Sequence, residues 1–156
     1  MTENGETAPR FVVDHMLGSL ARWLRMLGYD AIYDQSLTDA EILEIGKREG
    51  RIVLTRDRAL AEKGGFLIDD TSLDGQLRVV SDGFRLAFRP DEIRCSLCNG
   101  KLLRIDPEEA AMSIPERSLR SCTEFWRCTN CEKIYWNGTH WQSIRDRFLR
   151  LHLTEE

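Results

Sequence analysis

Two Cys-x-x-Cys turns, "CSLC" at 95–98 and "CTNC" at 128–131, constrain this chain more than any other feature. Each turn brings two sulfurs near one point without straining the backbone, and a pair of turns offers four thiolates to one tetrahedral ion. The expected ligands are Cys95, Cys98, Cys128 and Cys131, and the expected ion is zinc. Four thiolates leave no open coordination position, so such a site is a staple that contributes folding energy rather than chemistry. The 29 residues between the turns exceed the usual spacer of roughly 15–20, and Pro107 and Pro115 bracket what reads as an irregular polar loop. Disulfides are the competing use of these cysteines, but paired turns in a chain with no export signal argue against them. Cys122 reads as a buried small hydrophobe. His140 is an alternative ligand for which four better candidates exist.

Upstream of the cysteines the pattern is different. Residues 10–14, "RFVVD", form a short apolar run suited to a strand of a parallel sheet covered on both faces. Leu17, Leu20, Ala21, Leu24 and Leu27 then recur at helical spacing, with Gly28 where a C-terminal cap belongs. A strand at 31–33 follows. The sequence "TDAE" (38–41) is a capping box that opens a helix closed by Gly50. "RIVLTRD" (51–57) is the next strand, "RALAEK" a brief helix, "FLID" (66–69) a further strand and 73–80 a last helix weakened by Gly75. This alternation predicts a parallel α/β sheet over residues 10–89. Beyond Pro90 the alternation is lost and the aromatic residues gather, so residues 91–150 are expected to form a second, smaller unit.

Two of the predicted strands end in a carboxylate, Asp14 and Asp57. In an open parallel sheet, ligands bind outside the carboxyl ends of the strands at the topological switch point. Asp39 opens a helix that follows a strand, and Asp69 or Asp70 ends another, so all lie on one rim. Acids meeting at one rim repel by several kcal/mol unless divalent cations neutralise them, which points to Mg²⁺ or Mn²⁺. Asp57 ahead of "RALAEK" also reads as a helix N-cap, and Glu41 as the capping-box partner of Thr38. Carboxylate-held divalent ions, in a chain without a Gly-rich phosphate loop or a Ser-His-Asp pattern, fit phosphodiester hydrolysis.

The stretches "FVVDHMLGSLARWLRMLGYDA", "TDAEIL", "IVLTRDRAL", "CSLCNGKL" and "FWRCTNCEKIYWNGTHW" together resemble the PIN-like ribonuclease domain with a C-terminal zinc ribbon. That unit is found at the end of the mutator-type exonuclease and as a stand-alone prokaryotic protein. The resemblance covers residues 10 to about 148. It implies a PIN-like three-layer α/β/α parallel sheet followed by a small zinc ribbon, and a divalent-metal-dependent ribonuclease hydrolysing phosphodiester bonds of RNA, single-stranded by preference. Matched by motif position, Asp14, Asp39 and Asp57 are the metal-holding catalytic acids. Asp69 takes the fourth position, which Asp70 or Asp74 also fits. Arg22, Trp23 and Arg56 are implied as substrate-binding residues on the rim, with helix packing and carboxylate pairing as their alternative roles.

Composition sets the remaining limits. At 156 residues and 42% hydrophobic, the chain has material for one good core and a small satellite. A net charge of −4 excludes a uniformly basic nucleic-acid coat, so RNA binding needs a local patch or bound cations. Trp126, Tyr135, Trp136 and Trp141 offer stacking surfaces, and Arg127, Arg145, Arg147 and Arg150 phosphate contacts; packing on the first unit is the alternative use of the rings. No stretch reaches the roughly 18 apolar residues of a membrane span. Residues 1–9 read as a polar tail, and a cytoplasmic location without membrane association is expected. The rival to an enzyme is a non-catalytic RNA- or protein-binding adapter with a vestigial acid rim; no protein partner is assigned.

Overall fold

The computed structural model describes residues 8–151, with only the backbone of 139–141. Residues 1–7, His152 and the side chains of His140 and Trp141 lie outside that description. The first unit contains β1 (Phe11–Val13), α1 (Gly18–Leu27), β2 (Ala31–Tyr33), α2 (Asp39–Glu49), β3 (Ile52–Thr55), α3 (Arg58–Glu62), β4 (Phe66–Leu67) and α4 (Leu73–Phe84). All strand pairs are parallel and the order is β2-β1-β3-β4.

Alternation within the strands decides which helix covers which face. Phe11, Val13 and Leu54 pack with Leu20 and Leu24 of α1 and Leu77 of α4. Val12 and Val53 point the other way and meet Ile42 of α2 and Leu60 of α3. Helices therefore lie on both faces of the sheet. Each fully buried Leu or Phe contributes about 1.5–3 kcal/mol by leaving water.

The helix ends follow the expected chemistry. Thr38 accepts from the Glu41 N–H at 3.2 Å while the Glu41 carboxylate accepts from the Thr38 N–H at 3.0 Å, a complete capping box. Gly28 ends α1 at φ +107°, and a Cβ there would lie 2.6 Å from the Arg89 carbonyl oxygen, so only glycine fits. The last helix forms as expected despite Gly75, and α4 runs beyond residue 80 to Phe84. Gly75 sits in its first turn, where a Cβ would come within 2.1 Å of the Asp70 carboxylate; the missing side chain makes room for that acid.

The second unit holds β5 (Leu102–Ile105), α5 (Pro107–Ala110), α6 (Glu116–Ser121), β6 (Phe125–Cys128), β7 (Ile134–Trp136) and α7 (Thr139–Arg150). Its sheet is antiparallel in the order β5-β6-β7. The stretch bracketed by the two prolines is not irregular. Pro107 sits in the first turn of α5, where its missing N–H costs nothing, and Ala110, Ile114, Leu119 and Cys122 pack against Ile105 and Phe125. Cys122 is thus the small buried hydrophobe expected. Helix α7 returns to the first unit, where Ile144 and Phe148, with Leu151 just beyond its end, join the α1 and α4 core.

Candidate active site and cysteine centre

Strand order 2-1-3-4 places the topological switch between β1 and β3, and the two residues that leave those strands are tied together there. Asp14 is 1% exposed, and its N–H donates to the Leu54 carbonyl at 2.9 Å. Thr55, fully buried, donates its hydroxyl to Asp14 Oδ2 at 2.8 Å. The same Thr55 oxygen accepts from the Asp57 N–H at 2.9 Å. Asp14 Oδ1 accepts from the His15 N–H at 2.8 Å, and the His15 ring Nδ1 lies 2.9 Å from the same oxygen. Thr55 and His15 were not singled out from the sequence, although a polar residue ending a buried strand, two before an acid, is a readable signal for Thr55.

The other acids reach the rim by different routes. Asp57 caps α3, with Oδ1 accepting from Ala59 N at 2.8 Å and Leu60 N at 3.4 Å, so the N-cap reading describes its present bonds. Asp39 is exposed in the first turn of α2. Asp69 is exposed and paired with Arg58 at 3.1 Å. Asp70 accepts from both the N–H and the hydroxyl of Ser72 at 2.8 Å. Those bonds, helped by the Arg56 charge, hold its carboxyl below the ordinary value. Among the described residues the carboxylates do not form a cluster with three ligand atoms within 4.8 Å of one another; the four cysteines alone do.

Of the three implied substrate residues, Arg22 is exposed on α1. Arg56 is half-buried behind Asp57, and its Nε is buried without a hydrogen-bond partner. Trp23 packs edge-on against Phe148 with ring centroids 5.6 Å apart and carries the Arg147 guanidinium 4.7 Å above its face. Its observed contacts are those of helix packing.

The four cysteine sulfurs converge across the two turns. Cys98 Sγ lies 3.4 Å from Cys128 Sγ, and Cys95 Sγ lies 3.7 Å from Cys131 Sγ. A tetrahedral ion with bonds near 2.3 Å separates its sulfurs by about 3.8 Å, so the spacing suits one ion. The N–H groups of Asn130 and Cys131 both point at Cys128 Sγ from 3.4 Å. Burial opposes ionisation of Cys98, but hydrogen bonds from Asn130 and Gly100, with its neighbouring thiols, bring it down to about 6. Cys131 is favoured as a thiolate by the Lys133 N–H, yet burial and proton sharing with the other three cysteines push it up to about 12. The hydrogen-bond donors thus favour the thiolate at Cys98, and the shared protons favour the thiol at Cys131.

This centre is fastened to the strand ends away from the acids. Arg25 of α1 donates to the Ala31 carbonyl at 2.9 Å and to the Ser96 carbonyl, inside the first cysteine turn, at 2.8 Å. Burial pulls its guanidinium below the ordinary value, while the charges of Cys95 and Cys98 pull the other way. Asn99 accepts from the Ala31 N–H at 3.0 Å and donates to Asp30 at 2.6 Å, and Arg51 donates to both Asp30 oxygens at 2.8 and 3.2 Å. Ala31 begins β2 and Arg51 precedes β3, whereas Asp14 and Asp57 follow β1 and β3.

A parallel α/β sheet with acids outside its carboxyl ends, clamped at the opposite end to an antiparallel unit with four cysteines that could hold a metal ion, defines the class of protein. Within that class the chain belongs to the Mut7-C RNAse domain family, which it matches over residues 9–148. No curated protein and no solved structure matched it. The family assigns it a ribonuclease-type function, with RNA as the substrate class. None of the described helices is long and apolar enough to cross a membrane.

Proposed function

We propose that this chain is a PIN-like, Mg²⁺- or Mn²⁺-dependent ribonuclease that hydrolyses phosphodiester bonds of single-stranded RNA at the β1–β3 switch point. The observation that carries the reading is Asp14, a carboxylate 1% exposed at that point and fixed on one oxygen by Thr55. Burying a carboxylate is costly without a compensating charge, and its nearest basic neighbour is a largely exposed histidine. A divalent cation at the rim supplies that charge.

Asp14, Asp39 and Asp57 would hold the catalytic ions, with Asp69 as the fourth acid. Mg²⁺ keeps several of its waters and takes only one or two carboxylates directly, so acids spread along a rim suit a hydrated ion better than a tight cage. Bound there, such ions activate a water and stabilise the leaving oxygen. The chain's residues set the geometry. Thr55 fixes the rotation of the Asp14 carboxylate and the α3 cap fixes that of Asp57, while Arg22 and Arg56 would meet phosphate oxygens. Asp69 must release Arg58 to take part. The cysteine centre would hold structural zinc, and five unbridged cysteines suit a reducing compartment, in keeping with a cytoplasmic protein.

The test is cleavage of end-labelled single-stranded RNA with Mg²⁺ or Mn²⁺. Asp14→Asn, which keeps the shape of the side chain, should abolish product while leaving the unfolding curve in place; undiminished cleavage would overturn the assignment. The spread of the acids and the Asp69–Arg58 pair favour one rival, a non-catalytic RNA- or protein-binding adapter. Manganese titration separates the two, since a catalytic rim raises Tm as it fills and a vestigial one does not respond.

A further inference from the structure

The two faces of the antiparallel sheet differ in character. Alternate residues point to opposite faces and cross-strand partners share one. Ile105 and its partner Phe125 face the core formed with α5 and α6. Leu102, Arg104, Trp126 and Tyr135 share the opposite face. Between that face and residues 90–94 lie two cavities of about 320 and 340 Å³. Both are lined by Ile93 and Leu102, so they lie side by side along one groove face.

The groove walls reverse the charge of the chain. Arg94, Arg104, Lys133 and Arg145 line it against two acids, Asp91 and Glu124, in a protein of net charge −4. The rings are arranged for stacking. The Arg104 guanidinium lies 5.6 Å from the Trp126 ring centroid and is steadied by Glu124 at 3.1 Å, and the Lys133 ammonium lies 5.6 Å from the Tyr135 ring. Flat faces interleaved with cations are what a single-stranded polynucleotide requires, because bases stack without regard to sequence while phosphates need positive charge. Helix α7 runs from the groove back to α1 and α4. Ile144 lines the groove, and three residues on Arg147 lies over Trp23 and 3.5 Å from Asp74 in the first turn of α4.

We infer that this groove is a second RNA subsite, distinct from the acid rim, that holds unpaired bases on the Arg104–Trp126 stack and their phosphates against Arg145 and Lys133. It rests on the ribonuclease reading for its ligand class. Single-stranded RNA is therefore the substrate it retains.

Binding tests it without cleavage. The full zinc-loaded chain carrying Asp14→Asn is titrated against fluorescent oligouridylate of about 16 nucleotides, the upper end of known single-strand site sizes. Adding Trp126→Ala should weaken binding about tenfold, as expected from losing one stacked base, and Trp126→Phe should restore most of it. Arg145→Gln, which also removes the guanidinium lying 5.6 Å from the Phe88 ring, should lower the slope of log affinity against log salt by about one phosphate contact. Affinity unchanged by both Trp126→Ala and Arg145→Gln overturns the subsite, as does equal affinity for duplex RNA or for polyglutamate. The two readings fail separately: an Asp14→Asn chain that still cuts removes the assigned rim, whereas a dead one with unaltered groove variants removes only the groove.

Discussion

Thr55 donates its hydroxyl to Asp14 across 41 positions of sequence, at 2.8 Å, and takes the Asp57 N–H on the same oxygen. One side chain thereby couples the two acids that leave neighbouring strands. Thr55→Val keeps the shape and removes the bond, leaving a buried carboxylate short of a donor. The loss should be about 1–3 kcal/mol of stability, read by urea unfolding. RNA cleavage should fall further than the folded fraction does, and Thr55→Ser should recover part of both.

The Asp30–Arg51 pair gives a pH signature. Desolvation raises the Asp30 carboxyl, but hydrogen bonds from Arg51 and Asn99 and the charges of Arg94 and Arg51 outweigh it and leave it below its ordinary value. A depressed carboxylate stabilises the fold fully above its unfolded pKa, near 4, and loses that contribution as pH falls through the lower folded value. Asp30→Ala should cost about 2–4 kcal/mol at pH 7, somewhat less than the roughly 3–5 kcal/mol of a fully buried pair because Asp30 keeps 20% exposure. In chemical denaturation the difference from wild type should shrink in acid; a constant difference would assign it to packing.

Zinc should bind at one equivalent per chain, and its affinity should rise with pH because thiolates are the ligands. With Cys98 ionising at about 6 and Cys131 held up to about 12, loading near neutrality must expel protons, that of Cys131 among them. Chelator competition between about pH 5 and pH 8 should show affinity falling steeply toward the acid end. Calorimetry in buffers of different ionisation enthalpy counts the protons.

Because Arg25 and Asn99 fasten the first cysteine turn to the start of β2, metal loss should not stay local. Stripping zinc is expected to raise amide exchange across residues 91–138 and also at Ala31 and Tyr33. Exchange confined to the second unit would show the fastening to be weak.

Gly28→Ala places a Cβ 2.6 Å from the Arg89 carbonyl at a positive φ. The expected cost is about 2 kcal/mol or more, combining left-handed backbone strain with displacement of residue 89. For a chain of this size that lowers Tm by roughly 4–8 °C, measurable by calorimetry.

Local rules were enough to read much of this protein from its residues. The capping box at Thr38, the terminal Gly28 and the apolar run Phe11–Val13 each depend on neighbours within a few positions, and each is present in the structure. The Cys-x-x-Cys spacing likewise specified a four-sulfur cluster, because each turn fixes its own pair. The stretch between Pro107 and Pro115 misled because its apolar residues are sparse, and they become a core only when Phe125 and Ile105 are brought over them.

Periodicity and turn chemistry, which act over one or two turns of chain, made the strands and helices of residues 11–84, their caps and the two cysteine turns readable from the residues alone. Only the tertiary structure decided that Thr55 joins Asp14 to Asp57, that Asp69 is held by Arg58, that Arg25 reaches Ser96 from 71 positions away, and that α7 returns to the first core. Those relationships arise when apolar faces from distant segments are buried together. Which polar groups then meet is set by how the layers stack, a property no short window of residues contains.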